Sequence, residues 1–194
     1  MLEDNKLKIR ILKHSENLFF NNGFSSITMN QIASDLGIGK ATIYKYFDSK
    51  EAILQEVIES FFKELNESIE KIHLSIDMDY LSKVRKHIFV IGERLIKLQK
   101  HQMLDIKKNA PDIWLLMENL REEIFRTKFN ILLDEGITNG FLRSDIDKEL
   151  IILLIYNSIQ KISDPDIISK LPYSYVEVFH TIIKIIFEGL LITE

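Results

Sequence analysis

The sequence predicts an all-α protein with a small N-terminal helical domain and a larger C-terminal helical domain, about nine helices in all. Apolar residues recur at spacings of three and four along most of the chain, as they do on one face of an α-helix. Only 3 prolines and 7 glycines interrupt the 194 residues, which favours long helices over many short strands. No segment convincingly indicates a strand. We place the N-terminal domain at residues 5–51 and the C-terminal domain at residues 52–194.

Composition excludes several kinds of site. The chain has no cysteine, so disulfides, cysteine-ligated zinc and thiol nucleophiles are excluded. Its 5 histidines show no metal-ligand spacing, and we expect each of them at a helix surface or boundary. No metal and no cofactor is therefore expected. The longest charge-free apolar run, residues 150–160, is well short of the ~20 residues of a membrane span. Because the N-terminus also lacks an apolar secretion segment, we expect a cytoplasmic protein without membrane contact.

Charge is unevenly distributed along the chain. The net charge is −4, which taken alone argues against nucleic acid as a partner. Residues 1–50, however, carry a net charge of +2 and the remainder carries −6. The N-terminal part is therefore basic and the rest acidic, an asymmetry that is compatible with a local nucleic-acid contact.

The N-terminal segment predicts three helices. The first runs from about residue 5 to Asn22, where Gly23 is its stop signal. The second begins at Thr28, whose hydroxyl and Gln31 fit a capping box, and it ends at Gly37. A short third helix covers about residues 40–47. Two helices joined by so short a turn form a helix-turn-helix over residues 28–47.

The third helix has the faces that a helix in a DNA major groove requires. Ile43 and Phe47 lie within about 40° of each other and face the core. Ala41 and Lys45 point away from the core, and the flanks between these two faces are occupied by Thr42, Tyr44 and Tyr46. A small outer residue allows close approach, while hydroxyls and a lysine reach phosphates and base edges. The alternative is an amphipathic helix of an ordinary helical bundle.

The remaining helices form the C-terminal domain. A long fourth helix is capped by Asp48 or Ser49, and further helices follow a turn near residues 75–79, at about 80–100, 102–108 and 111–138. The last two, at about 146–161 and 173–191, are apolar nearly all the way round, so they must be covered on every side. A partner subunit is the natural cover in a chain of this size, which predicts a homodimer through these two helices. The alternative is that both are central core helices.

The run GFSSITMNQIASDLGIGKATIYKYFDSKEAIL, residues 23–54, resembles the N-terminal signature of TetR-family transcriptional repressors. The matching positions are Gly23-Phe24, Thr28, Ile32-Ala33, Gly37-Ile38, Ala41-Thr42-Ile43-Tyr44, Tyr46-Phe47, Lys50-Glu51 and Leu54. The rest of the chain resembles the family in length and helical layout. The resemblance implies a DNA-binding domain followed by a ligand-binding and dimerisation domain, acting as a repressor.

The resemblance also implies which side chains contact DNA. Phosphate contacts are implied for Thr28, Thr42, Tyr46 and Lys50, and an approach to the bases for Lys40, Ala41, Tyr44 and Lys45. Two positions depart from the family pattern. Gly39 stands where Ser or Thr is common and so removes a side-chain cap. Tyr46 stands where His is frequent, and it keeps a hydrogen-bond donor without the titratable charge.

For the C-terminal domain the resemblance implies a homodimer on a palindromic operator and a small-molecule effector bound among the helices. A dimer would hold two recognition helices about 34–36 Å apart, as successive major-groove faces require. The candidate lining is apolar and partly aromatic, which indicates a lipophilic or aromatic effector, although each residue also suits ordinary core packing. The candidates are Phe61, Phe62, Phe89, Met103, Trp114, Met117, Phe125, Phe129 and Tyr156.

Two other functions are compatible with parts of the sequence. One is a DNA-bound scaffold of the same fold that recruits a protein partner and has no small-molecule ligand. The other is a helical enzyme using the carboxylates of Glu122, Glu123, Asp105 or Asp112. The adjacent pair Glu122-Glu123 lacks the spacing of three or four that places two side chains on one helical face. We therefore expect no enzymatic activity.

Overall fold

The computed structural model describes residues 2–190, with side chains from residue 5 onward, and within these residues the chain has ten helices and no strand. The all-α prediction is confirmed. No helix in the described part of the chain is long and apolar enough to cross a membrane. The helices are α1 (Leu2–Asn22), α2 (Met29–Asp35), α3 (Lys40–Ile43), α4 (Lys50–His73), α5 (Tyr80–Leu95), α6 (Lys100–Asn109), α7 (Pro111–Thr138), α8 (Lys148–Ile162), α9 (Pro165–Ile168) and α10 (Tyr175–Leu190).

The ends of α1 and α2 follow the local chemistry of their residues. α1 ends at Asn22, and the next residue, Gly23, has a φ of +90°, a left-handed conformation that glycine adopts without a Cβ penalty. Thr28 caps α2, as predicted, by accepting a hydrogen bond from the Gln31 N–H at 3.2 Å. At the other end of α2, Gly37 has a φ of +66° and the Ile38 N–H reaches back to the Ala33 carbonyl at 2.9 Å. This is a Schellman motif, and it sets the direction in which α3 leaves α2.

α3 is shorter than the sequence predicted. Its α-helical part ends at Ile43, and the hydrogen bonds from the Lys45 and Tyr46 N–H groups go back three residues instead of four. This tighter, 3₁₀-like winding is common at helix ends and carries the chain on to Phe47. The next helix, α4, is capped by Ser49, whose hydroxyl accepts from the Ala52 N–H at 3.0 Å. Ser49 is therefore the cap, out of the two residues that the sequence left open.

Most of the later helices confirm the prediction. α7 has the predicted bounds, whereas α5 ends at Leu95 and α6 begins at Lys100, so the predicted helix over 80–100 is too long. α8 and α10 match the two apolar helices; residue 191, the predicted end of the last one, lies outside the described residues. The short α9 was not predicted. Asp164 caps it and Pro165 opens it, but four residues are too few to show a helical period.

The chain forms two compact units, whose bounds differ from the predicted domains. One unit comprises Met1–Phe62 and Leu98–Glu118, and the other comprises Lys63–Lys97 and Asn119–Glu194. The core of the first unit is formed by fully or almost fully buried side chains, among them Ile11, Phe19, Phe24, Ile32, Ile43, Leu54, Met103 and Ile106. The core of the second unit includes Tyr80, Val84, Phe129, Leu133, Leu142, Ile152, Ile155 and Leu190. The division of function at residue 51 stays a prediction.

Candidate DNA-binding interface

The segment after α2 separates a buried face from an exposed one. Ile43 is completely buried and Phe47 is 3% exposed, so both pack into the core of the N-terminal unit. Ala41 and Lys45 are exposed on the opposite side, and the Tyr44 ring is 42% exposed. The buried and exposed faces are those that the helical spacing predicted. One side of the segment is anchored by apolar packing, and the other is open to a partner.

The exposed face carries a cation close to an aromatic ring. The Lys40 ammonium lies 5.9 Å from the centre of the Tyr44 ring, one helical turn further along. Such a cation–π contact favours a defined position for both side chains at the exposed surface. Thr42 and Tyr46 are half-buried at the flanks of this face. Gly39 provides no side-chain cap to α3, in keeping with the departure noted at this position.

Lys50, the first residue of α4, is held by the turn that precedes α2. Its ammonium donates to the Phe24 carbonyl at 2.8 Å and lies 4.1 Å from the centre of the Phe24 ring. The side chain is half-buried as a result. An ammonium has three donors, so this hydrogen bond leaves Lys50 with further hydrogen-bonding capacity. The contact fixes the start of α4 to the α1–α2 turn, which we define as residues 23–28.

α6 also holds this turn, a contact that the sequence did not predict. The Asp105 carboxylate accepts from the Ser25 N–H at 2.8 Å, and the Gln102 amide donates to the Asn21 carbonyl at 3.0 Å. Burial raises the pKa of Asp105, but hydrogen bonds from Ser25 and Asn109 and the charge of Lys50 outweigh it, so the pKa lies below its ordinary value. Because 80 residues separate Ser25 from Asp105, no local sequence signal could have indicated this contact.

The candidate effector residues fall in both compact units. Phe61, Phe62, Met103, Trp114 and Met117 belong to the N-terminal unit, where each is at most 8% exposed. In the C-terminal unit the Phe125 ring stacks on Phe129 at 5.0 Å and lies 5.5 Å from Tyr156. Phe89 is 62% exposed, so it does not line the interior of the described chain. The apolar pattern of α5 does not show which side of the helix is covered, so the exposure of Phe89 could not be inferred from the sequence.

Two of the four carboxylates that suggested an enzyme, Asp105 and Glu122, have structural partners. Glu122 accepts from Arg126 at 2.7 Å and from the Tyr156 hydroxyl at 3.2 Å. The hydrogen bond from Arg126, opposed by burial and assisted by Tyr156, keeps the pKa of Glu122 below its ordinary value. Glu122 is therefore held as a carboxylate rather than as a proton donor. Among the side chains that the structure describes, from residue 5 to residue 190, there is no cluster of three or more potential metal ligands.

The histidine prediction is wrong at His87, which is only 6% exposed. Its Nδ1 lies 2.9 Å from the Lys83 carbonyl, so this nitrogen carries the proton and donates. Its Nε2 then accepts from Nε2 of His73 at 3.1 Å. His73 and His87 are on different helices, and their proximity depends on how α4 and α5 pack. Sequence spacing could not reveal it.

Comparisons with known proteins agree with this geometry. The family model of the bacterial regulatory proteins of the tetR family matches residues 11–57, which include α2, α3 and the start of α4. The regulator YvaF of Bacillus subtilis, described as an uncharacterized HTH-type transcriptional regulator, is 28% identical over 93% of this chain and 94% of its own length. The negative transcriptional regulator IcaR of the biofilm operon icaADBC in Staphylococcus aureus is 33% identical over 47% of this chain, which spans about half (51%) of IcaR.

Solved structures show the same fold at low identity. A regulator from Saccharomonospora viridis, solved in complex with choline, superposes with a TM-score of 0.71 at 19% identity, covering 97% of this chain and 100% of its own. The fatty acid degradation regulator FadR of Bacillus halodurans gives a TM-score of 0.67 at 18% identity, covering 94% of this chain and 95% of its own. These likenesses extend the fold agreement from the N-terminal segment to almost the whole chain.

The helix-turn-helix and the all-α fold around it define a DNA-binding transcriptional regulator. Residues 11–57 are similar to the TetR family, and almost the whole chain shares its fold with a regulator described as a TetR-family member. The relatives of this chain are transcriptional regulators and not enzymes, which agrees with the sequence prediction.

Proposed function

We propose that the chain is a repressor that binds a palindromic operator as a homodimer and is released by a small lipophilic or aromatic effector. The observation that carries DNA recognition is the exposed face of residues 40–45. Ala41, Tyr44 and Lys45 lie outward there, while Ile43 is completely buried behind them. In this proposal these exposed side chains and Lys40 approach the bases. The phosphates are contacted by Thr28, Thr42, Tyr46 and Lys50.

Uncovered apolar side chains on α8 and α10 support a homodimer. Leu150 and Leu154 on α8 are 56% and 67% exposed, and Ile185 on α10 is 66% exposed. A shallow groove runs along one face of α8 and is lined mainly by apolar atoms. Leu150 and Leu154 are four residues apart and so share one face of α8, and exposed apolar side chains on one face favour an interface because their contact with water is unfavourable. A second copy would cover this face and place two recognition segments on one side of the DNA.

Repression and the effector class rest on two further observations. IcaR is named as a negative regulator, and it resembles this chain over 96 residues. The stacked Phe125 and Phe129 rings beside Tyr156 suit an apolar or aromatic molecule better than a highly polar one. One structural neighbour was solved in complex with choline, and two others are named as a fatty acid degradation regulator and a ketosteroid transcriptional regulator.

DNA recognition can be tested with fluorescence anisotropy on a labelled duplex from the region upstream of the gene that encodes the chain. Tyr44→Ala is expected to reduce the preference for this duplex over a scrambled one, because a base-contacting side chain is lost. Lys45→Ala is expected to weaken binding, whereas the control Lys63→Ala, at a side chain that is 76% exposed on α4, should not. Equal binding by wild type, Tyr44→Ala and Lys45→Ala contradicts the assigned face.

The effector can be tested by native mass spectrometry of the purified protein, followed by DNA release with fatty acids, aromatic acids and quaternary amines. Release by a lipophilic or aromatic compound is expected. If no compound releases DNA and a protein co-purifies with the DNA complex, the chain is instead a DNA-bound scaffold.

A further inference from the structure

We propose that Asp105 is a positioning residue for DNA binding: its carboxylate holds the α1–α2 turn and thereby fixes Thr28 and Lys50 for their phosphates. The proposal rests on the function proposed above and assigns a role in it to α6. Asp105 touches no DNA in this proposal. It acts through the backbone of a turn whose last residue is a phosphate contact.

The carboxylate is itself well oriented. The Asn109 amide, one helical turn further along α6, donates to Asp105 Oδ1 at 2.6 Å. This leaves Oδ2 to accept the Ser25 N–H at 2.8 Å. A hydrogen bond between a backbone N–H and an ionised acceptor is roughly twice as strong as one between neutral groups. The carboxylate therefore has one oxygen committed to its own helix and the other to the turn.

The carboxylate lies close to the backbone of the turn at Gly23. A Cβ built on Gly23 would lie 3.0 Å from Asp105 Oδ2, closer than side chains ordinarily approach, and the φ of +90° at Gly23 also favours glycine. Close approach and conformation thus both favour glycine at this position. Two residues before it, the Asn21 carbonyl accepts from Gln102, so α6 contacts the turn and the end of α1 in two places.

Lys50 holds the turn through a separate contact. Its ammonium donates to the Phe24 carbonyl. Phe24 stands between Gly23 and Ser25, the two residues of the turn that lie against Asp105. The α1–α2 turn is therefore fixed by α6 and by the first residue of α4. If the contact with Asp105 is lost, both the cap residue Thr28 and the partner of Lys50 gain freedom. We expect DNA binding to weaken, because the side chains that contact the phosphates must then lose this freedom when DNA binds.

The direction of the effect distinguishes positioning from simple electrostatics. Removing a carboxylate makes the N-terminal unit more basic, which by itself strengthens DNA binding. Positioning predicts the opposite. We expect Asp105→Ala to weaken binding about tenfold, the usual scale of a lost charged hydrogen bond. Asp105→Asn should lose clearly less affinity than Asp105→Ala, because its amide oxygen can still accept from the Ser25 N–H, although without the charge and with its amide nitrogen facing Asn109. The matched control Asp112→Ala, an exposed carboxylate in the same unit, should bind equally well or more tightly.

The experiment measures anisotropy on the upstream duplex and on a scrambled duplex at low salt, together with amide hydrogen exchange of residues 21–28 without DNA. Circular dichroism and thermal unfolding verify that each variant is folded. Faster exchange at Ser25 in Asp105→Ala, with protection better retained in Asp105→Asn, supports the proposal. If wild type binds neither duplex, the proposed function is wrong and the positioning role with it. If wild type binds while Asp105→Ala binds as tightly or more tightly, or if Asp105→Asn loses affinity as Asp105→Ala does, only the positioning role is overturned.

Discussion

The Tyr80 ring of α5 lies directly against the α-carbon of Gly136 on α7: a Cβ at Gly136 would be 2.5 Å from Tyr80 Cζ and 2.7 Å from Leu142 Cδ1. Tyr80 is 3% exposed and stacks on Phe141 at 5.0 Å, so it cannot move away without cost. Gly136 therefore permits the close packing of α5 on α7 in the C-terminal unit.

We expect Gly136→Ala to lower the free energy of unfolding by about 1–3 kcal/mol, the usual cost of overpacking, despite the better helix propensity of alanine. Urea unfolding followed by circular dichroism measures it. Gly189→Ala, in α10 with nothing within 4 Å, is the matched control and should leave stability unchanged or slightly higher. Unchanged stability in Gly136→Ala would show that the ring moves aside freely.

The His73–His87 pair makes stability depend on pH. Burial, followed by the charges of His87 and Lys128, lowers the pKa of His73 to about 4, against the favourable charges of Glu70 and Glu135. Burial also lowers the pKa of His87, opposed by its hydrogen bond to Lys83. The unfolded chain thus takes up protons more readily than the folded one. The contribution of the pair to the free energy of unfolding should be fully present above pH 6.5, the ordinary pKa of histidine, and should be lost as the pH decreases towards about 4. In urea titrations between pH 7.5 and 4.5, His73→Gln should flatten this decrease, and His101→Gln, at an exposed position, should not.

Lys50 combines a structural contact with a predicted phosphate contact, and two substitutions separate them. Lys50→Gln keeps a donor for the Phe24 carbonyl but loses the charge, so it should retain stability while binding every duplex more weakly. Its salt dependence should be flatter by about one unit of slope. Lys50→Ala should show the same binding loss and also unfold at a lower temperature, because the contact with Phe24 disappears. A salt slope equal to that of wild type in both variants would remove Lys50 from the phosphate contacts.

The exposed face of α8 predicts the outcome of a single charge substitution. Leu154→Asp places a carboxylate where we expect apolar contact with a second copy, and the protein should become a monomer in light scattering after size exclusion. Leu74→Asp is the matched control, since Leu74 is 71% exposed outside α8 and α10. A dimer that survives Leu154→Asp, or a monomeric wild type, would reject this face as the interface.

Local signals in the sequence were enough to predict most of the helices and the buried and exposed faces of the DNA-binding segment. Thr28 and Gly37 mark the ends of α2 through hydrogen bonds within a few residues, so their roles could be inferred from position alone. Contacts between distant segments could not be predicted in this way. The Asp105–Ser25 hydrogen bond and the His73–His87 pair depend on packing, and the exposure of Phe89 depends on which side of α5 is covered.

The membership of residues 98–118 in the N-terminal unit has a consequence for engineering and for evolution. Met103 and Ile106 on α6 are 1% and 0% exposed, so a fragment restricted to residues 1–57 would expose the apolar surface that they cover. DNA specificity should therefore be transferable between relatives only when α6 is transplanted together with the three N-terminal helices. In a chimera joined at residue 57, α6 of one protein would have to pack on the N-terminal helices of the other. A chimera that also transplants residues 98–118 should keep the core of the N-terminal unit unchanged.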